Sequence, residues 1–245
     1  MAKSSGLGSS LIVGAYDVSG DIGALGTIET SRGVQDVSGI DKSALERIVL
    51  LKDGSLSFTS FWNTVAGQAH PVLSAQPRTD VQVSYLHGST VGEPAASMIA
   101  KQVSYAPTRG QDGSLVVENT AHANGYGLEW GALLTTGKQT FASGTVNGTS
   151  IDYGATSSLF GATGYLHTIS LGSGTPTVTV TDSANDSTFA ALAPTSIVFT
   201  PVAAGTSRVQ TGVTATIRRY TRVEVTGTYT NLVAVLVFVR YLEAP

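Results

Sequence analysis

Along most of the chain, apolar and hydroxyl-bearing residues alternate with a period of two, which puts one set of side chains on each face of a strand. The string Thr175-Pro176-Thr177-Val178-Thr179-Val180-Thr181 follows this pattern closely. In the N-terminal half, the same pattern predicts extended segments at 11–16, 48–51, 56–61, 81–86, 99–105 and 115–118. Asp53-Gly54 and Asp112-Gly113 each stand between two of these segments. Glycine accepts the positive φ of a tight turn that matches strand twist, so both pairs predict hairpins. In the C-terminal half, strands are predicted at 166–171, 178–181, 197–199, 208–210, 215–225 and 232–241. Their spacing, with glycine- and asparagine-rich turns between them, suits an antiparallel β-sandwich or jelly roll.

Helix is scarce. One short helix is predicted at 42–47, where Ser43 and Glu46 have capping-box spacing and Asp41 is the alternative cap. A second is predicted at 93–98, with Pro94 suited to the first helical position. The fold class expected is therefore all-β. The tetrapeptide Asp17-Val18-Ser19-Gly20 recurs as Asp36-Val37-Ser38-Gly39. Two copies indicate one turn chemistry used twice rather than a repeat protein.

At 245 residues the chain has material for one large core or two modest ones. Hydrophobic residues make up 42% and charged residues only 13%, about half the usual charged share. The charges are unevenly placed: residues 1–145 hold nine bases and twelve acids, and residues 146–245 hold five of each. The run Ala142-Ser143-Gly144-Thr145-Val146-Asn147-Gly148-Thr149 reads as a linker or domain-edge loop. Two domains are expected, 1–145 and 146–245. The overall charge of -3 argues against a protein that grips nucleic acid electrostatically. The longest apolar run, 232–239, is eight residues, whereas a bilayer span needs about 20. Met1-Ala2-Lys3-Ser4-Ser5-Gly6 lacks the apolar stretch of a signal peptide, so the chain is expected to stay where it is translated.

Cysteine is absent, which removes disulfides, thiol chemistry and cysteine-based zinc sites. His70, His87, His122 and His167 stand singly, without a second histidine at ligand spacing, and read as surface or satisfied core residues. Gly88-Ser89-Thr90-Val91-Gly92 has its serine one place too early for a nucleophile elbow. Gly137-Lys138 lacks the upstream glycine of a phosphate loop, and Gly125-Tyr126-Gly127 reads as a tight turn. The loop Asp182-Ser183-Ala184-Asn185-Asp186-Ser187 has acidic oxygens but neither the glycine nor the distant glutamate of a calcium hand, which favours a plain loop. Asn147-Gly148-Thr149 and Asn185-Asp186-Ser187 match the glycosylation pattern, which matters only in a secreted chain. Acid pairs for glycoside hydrolysis have no preferred members. The densest basic run is Arg218-Arg219-Tyr220-Thr221-Arg222. Alternation sets Arg218, Tyr220 and Arg222 on one face, and leaves Arg219 on the apolar side in need of a carboxylate or carbonyl partner. No catalytic, cofactor-binding or metal-ligating residue is assigned, and no cofactor is expected.

Three strings together carry a resemblance: Tyr16-Asp17-Val18-Ser19-Gly20-Asp21, then Asp36-Val37-Ser38-Gly39-Ile40-Asp41-Lys42-Ser43-Ala44, then Glu46-Arg47 followed by Asp53-Gly54. They resemble the opening of major tail, or tail tube, proteins of long-tailed siphovirus-type phages, over roughly the first half of the chain. The later strands resemble the jelly-roll or carbohydrate-module-like sandwich sometimes joined to phage structural proteins. The resemblance implies a non-enzymatic β-sandwich or barrel whose copies form rings, usually hexameric. These rings stack into a tube through which double-stranded DNA leaves the particle, with tape-measure and terminator or tip proteins as partners. An arm at 2–10 and contacts from 41–75, including Phe58, Phe61 and Trp62, are expected by placement. An acidic first half suits a bore that must not hold DNA, because each phosphate neutralised by Lys or Arg tightens the grip. The alternatives are a capsid decoration protein or a glycan-binding adhesin, for which Tyr153, Phe160, Tyr165 and Tyr229 are the stacking candidates. A polysaccharide-degrading tail enzyme is the third class.

Overall fold

The computed structural model describes residues 5–75, 77, 79–154 and 157–243. The chain is all-β, with 57% strand and 3% helix. The strands are β1 (Ser10–Val13), β2 (Tyr16–Asp17), β3 (Ile22–Asp36), β4 (Arg47–Phe61), β5 (Val81–Leu86), β6 (Pro94–Arg109), β7 (Leu115–Ala123) and β8 (Glu129–Leu133). They continue as β9 (Gln139–Phe141), β10 (Val146–Asn147), β11 (Ile151–Asp152), β12 (Ala162–Ser183), β13 (Ala190–Ala191), β14 (Val198–Phe199), β15 (Gly205–Gln210) and β16 (Tyr220–Arg240). Among the described residues one α-helix, α1 (Ala69–Leu73), and a 3-10 turn at Ser19–Asp21 complete the set.

Two compact units result, and they do not follow chain order. The first comprises Met1–Ser19, Gln82–Ser97 and Trp130–Pro245; the second comprises Gly20–Val81 and Met98–Glu129. The boundary expected at 143–150 lies inside the first unit.

The first unit is built on β12 and β16, paired antiparallel from Ala162↔Arg240 to Ser183↔Tyr220. On its other edge β12 takes β15, β14 and β13; β16 takes β8, β9, β10 and β11. Val178, Val180, Val223 and Val225 alternate inward and pack with Leu166, Ile197, Phe199, Leu236 and Phe238 in one buried cluster. The sequence pattern predicted a break within each of these long strands, at 172–177 and 226–231, and neither break occurs. The glycines there serve close approach instead. A Cβ on Gly174 would lie 2.2 Å from the Thr228 carbonyl oxygen, and one on Gly172 would lie 2.8 Å from that of Thr230.

The second unit is an antiparallel meander: β3 pairs β4, β4 pairs β7, and β7 pairs the outer part of β6. Asp112-Gly113 makes the expected turn, with Gly113 at φ 89° and its N–H donated to the Gly110 carbonyl at 3.1 Å. Asp53-Gly54 makes no turn. β4 runs straight through it, because Gly54 is where the loop residue Leu128 crosses the strand; a Cβ there would lie 2.5 Å from that of Leu128. The chain reverses at 37–46 instead.

Both predicted helices are absent. At 42–46 the chain is a loop and Arg47 opens β4; Glu46 pairs with Lys42 at 3.2 Å instead of closing a capping box. The segment 93–98 opens β6, where Ala95, Ala96 and Met98 are all buried. Burial on both faces overrides the weak helical preference, and Pro94 occupies the first strand position, where its missing N–H is tolerated. The helix that does form, α1, is capped from a distance: Ala69 donates its N–H to Asp21 Oδ2 at 2.9 Å, and Asn63 donates to Asp21 Oδ1 at 2.8 Å. Among the described residues no helix is long and apolar enough to cross a membrane.

Candidate assembly surface

β3 and β4 form a two-stranded ribbon whose two halves differ. At the root, Gly54, Leu56, Phe58 and Ser60 of β4 turn inward and are buried, while the residues between them are half-buried. Beyond the Leu128 crossing, every residue from 47 to 51 is exposed. Ile48, Val49, Leu50 and Leu51 are consecutive, so alternation places Val49 and Leu51 on one face and Ile48 and Leu50 on the other. Val34 stands directly across from Val49, and a Cβ on Gly33 would lie 3.3 Å from the Leu50 side chain, beside the irregularity at Arg32/Val34. Val37, Ile40 and Leu45 extend the apolar surface around the tip, with Leu51 88% and Ile40 fully exposed.

Polar residues hold this ribbon in shape without covering it. At the tip, Ser38 donates its N–H and its hydroxyl to Asp36 Oδ1 at 2.9 and 2.6 Å; Glu46 donates its N–H to Ser38 Oγ at 2.8 Å. Those bonds to Ser38 hold the Asp36 carboxyl below its usual range. Arg47 faces Asp36 across the ribbon, whereas Arg32 faces Lys52.

At the root, Phe61 lies over Gly23, and Trp62 stacks on His70 with ring centroids 4.0 Å apart. His70 Nδ1 is 2.5 Å from the Tyr105 hydroxyl. Phe61 and Trp62 are accordingly exposed, ordered contact candidates, while Phe58 belongs to the core. Of the expected arm at 2–10, residues 2–4 lie outside the described residues. Ser10 already pairs with Leu86 of β5, and Ser9 Oγ is 3.0 Å from the Tyr85 hydroxyl.

The remaining sequence candidates have structural roles. Ser89 sits in the β5–β6 connection, and Lys138 pairs with Asp17 at 2.5 Å. Arg218 engages Asp182 through Nε and the backbone N–H, both at 2.8 Å, and Ser150 donates to Asp186 at 2.5 Å. The acids of the 182–187 loop are thus occupied. Among the described residues no group of three His, Asp or Glu side chains could hold a metal ion. Arg219 finds the carboxylate its position called for: Nε and a terminal nitrogen reach Asp152 at 2.6 and 2.7 Å, holding that carboxyl down at about 2. This pair is exposed and not packed in the core. Arg222 lies over Phe189 at 4.0 Å, and Arg240 over Tyr153 at 4.7 Å. Tyr165 and Tyr229 are buried, so of the four stacking candidates Phe160 is the exposed one.

The contacts expected from 41–75 take in this ribbon, but the residues named for them, Phe58, Phe61 and Trp62, leave out the unbroken run Ile48-Val49-Leu50-Leu51, which marks a strand that is apolar on both faces.

No family model matches the chain, and no curated protein matches it. Among solved structures it is similar to the SPP1 Dit protein, described as a paradigm of the hub adsorption apparatus in Gram-positive infecting phages. The identity is 9%, the TM-score 0.32, and the match covers 95% of this chain and 99% of that one. It is also similar to a chain of the phage p2 baseplate in its activated conformation with Sr, at 10% identity and TM-score 0.35, covering 96% and 99%. A chain of the phage P2 baseplate with Ca gives 10% identity and TM-score 0.28 over the same shares.

Proposed function

We propose that this protein is a structural subunit of a phage tail that works by self-association, and within that class a tail tube subunit. Its copies close into rings, and the rings stack into a conduit for double-stranded DNA. The observation that carries the reading is the distal β3–β4 ribbon, apolar on both faces and exposed in the single chain. A two-stranded ribbon is marginal alone in water, and apolar patches of this extent mark interaction sites. A neighbouring copy covers it. The tail-tube resemblance of the strings at 16–21, 36–44 and 46–54 supports the same class, and two of those strings build the ribbon tip and its strands.

Tape-measure and terminator or tip proteins are the further partners, the location is the virion tail, and the role is non-enzymatic. Purified protein at rising concentration, followed by sedimentation and negative-stain imaging, gives rings or tubes on this reading. A persistent monomer under tail-assembly conditions overturns it. Of Tyr153, Phe160, Tyr165 and Tyr229, Phe160 is the exposed ring that a sugar could reach. A glycan array in which binding is lost with Phe160→Ala would move the assignment to that class.

A further inference from the structure

The first unit is assembled from three separated stretches of chain, and one buried imidazole joins them. His167, in the first third of β12, is fully buried, as are Ser84 of β5 and Ser97 of β6. His167 Nδ1 is 2.7 Å from the Gly14 carbonyl oxygen in the β1–β2 turn, and Nε2 is 2.7 Å from Ser84 Oγ, which is 2.6 Å from Ser97 Oγ. A carbonyl only accepts, so Nδ1 carries the hydrogen and donates it to Gly14. In the neutral ring Nε2 then accepts from the Ser84 hydroxyl, and the Ser84 oxygen accepts from Ser97.

Nearby contacts reinforce the join without neutralising a charge on it. Gln82 Nε2 donates to the Leu166 carbonyl at 3.1 Å, and Gly14 donates its N–H to the Gln82 carbonyl at 2.8 Å. The charged and titratable groups on the elements packed here are committed elsewhere. Asp17 of β2 is bound to Lys138, Tyr85 of β5 to Ser9, and Arg208 of β15 to Tyr165 of β12 and to Gln210. Tyr16 of β2 is exposed, and Arg240 of β16 donates to Ser158. The described contacts of His167 include no carboxylate.

We propose that His167 is an acid-operated fastener within this unit: protonation places an uncompensated charge inside this buried join and releases β1, β2 and β5 from β12, while the β12–β16 pairing persists. The imidazolium would carry its charge in a fully buried site whose described contacts include no carboxylate. Burial accordingly pushes the ring down to about 4, so the join is closed at neutral pH.

The test is hydrogen exchange on the full chain at neutral pH and at about pH 4, corrected for intrinsic rates, with the His167 ring followed by NMR in the same samples. Acidification should raise exchange in β1, β2 and β5 by about tenfold or more and leave the 178–183 and 220–225 amides protected. The ring should titrate over the same interval. His167→Gln, neutral at every pH, should lose the acid step. The proposal is overturned if all strands open together, if the ring stays neutral through the opening, or if it titrates with no opening. Should the Gln variant not fold, the wild-type coincidence of ring titration and local opening decides alone.

Discussion

Ser38 gives both of its hydrogens, backbone and hydroxyl, to a single carboxylate oxygen of Asp36, at 2.9 and 2.6 Å. Ser19 does the same to Asp17, and Ser114 to Asp112. In the first two turns the serine oxygen also accepts a remote amide, from Glu46 and from Leu11 respectively. The repeated Asp-Val-Ser-Gly strings are therefore one turn device used twice: an acid-anchored serine that pins a neighbouring strand. Ser38→Ala should speed exchange of the Glu46 amide roughly threefold to tenfold and leave the melting temperature nearly unchanged, since the tip is exposed. The turn also has a pH signature. The Asp36 carboxyl is depressed in the folded chain by its bonds to Ser38, so the stabilisation is present above its unfolded value and fades as pH falls through the folded one. Exchange at the tip, corrected for intrinsic rates, should rise with acid in the native protein and be flat in Ser38→Ala.

The exposed ribbon separates assembly from folding. Replacing Leu51, 88% exposed, with Glu should change chain stability by less than about 0.5 kcal/mol, as surface changes do. It should abolish higher-order species in sedimentation, because a charge forced into an apolar interface has no partner. A melting temperature that falls sharply would mean that Leu51 is packed within its own chain.

Much of the strand content was legible, because alternation is local: β5 was bounded correctly and the Asp112-Gly113 hairpin follows its turn chemistry. Glycine misled where its role was non-local. Gly54, Gly172 and Gly174 read as breaks, yet each admits another backbone against an unbroken strand, and only the tertiary fold reveals that neighbour. The α1 cap had the same difficulty, since Asp21 reaches Ala69 across 48 positions. The ribbon surface was visible as four consecutive apolar residues, but periodicity alone does not say whether such a strand is covered by its own chain or by another.

Gly54 offers a direct check on that explanation. A Cβ at this position meets the Leu128 backbone nitrogen at 2.6 Å, so Gly54→Val should lower the stability of the second unit by about 2 kcal/mol or more in urea unfolding. At Gly92 a Cβ meets open space and φ is +92°, leaving backbone strain as the sole cost. Gly92→Ala should therefore cost about 1 kcal/mol. Equal effects at the two positions would remove close approach as the reason for Gly54.

The two arginine–aspartate pairs of the first unit should respond very unequally to loss of the acid. Asp182 has its side chain 3% exposed and accepts from Arg218 Nε and from the Arg218 N–H. Asp182→Asn keeps the shape but leaves a partly buried guanidinium facing a neutral amide. Breaking one side of a buried pair costs about 3–5 kcal/mol, reduced here because Arg218 is a third exposed, so a loss of about 2 kcal/mol is expected. Asp152 and Arg219 form a better-shaped, two-pronged pair, but both side chains are 43% exposed. Water and salt screen that attraction, so Asp152→Asn should barely move the unfolding midpoint, and what it moves should vanish in high salt. The depressed Asp152 carboxyl places the remaining contribution above its unfolded value, lost as pH falls toward about 2. A denaturant titration of both variants at low and high ionic strength separates the cases. A large, salt-resistant loss at Asp152 would show that its exposure in the single chain is covered on assembly.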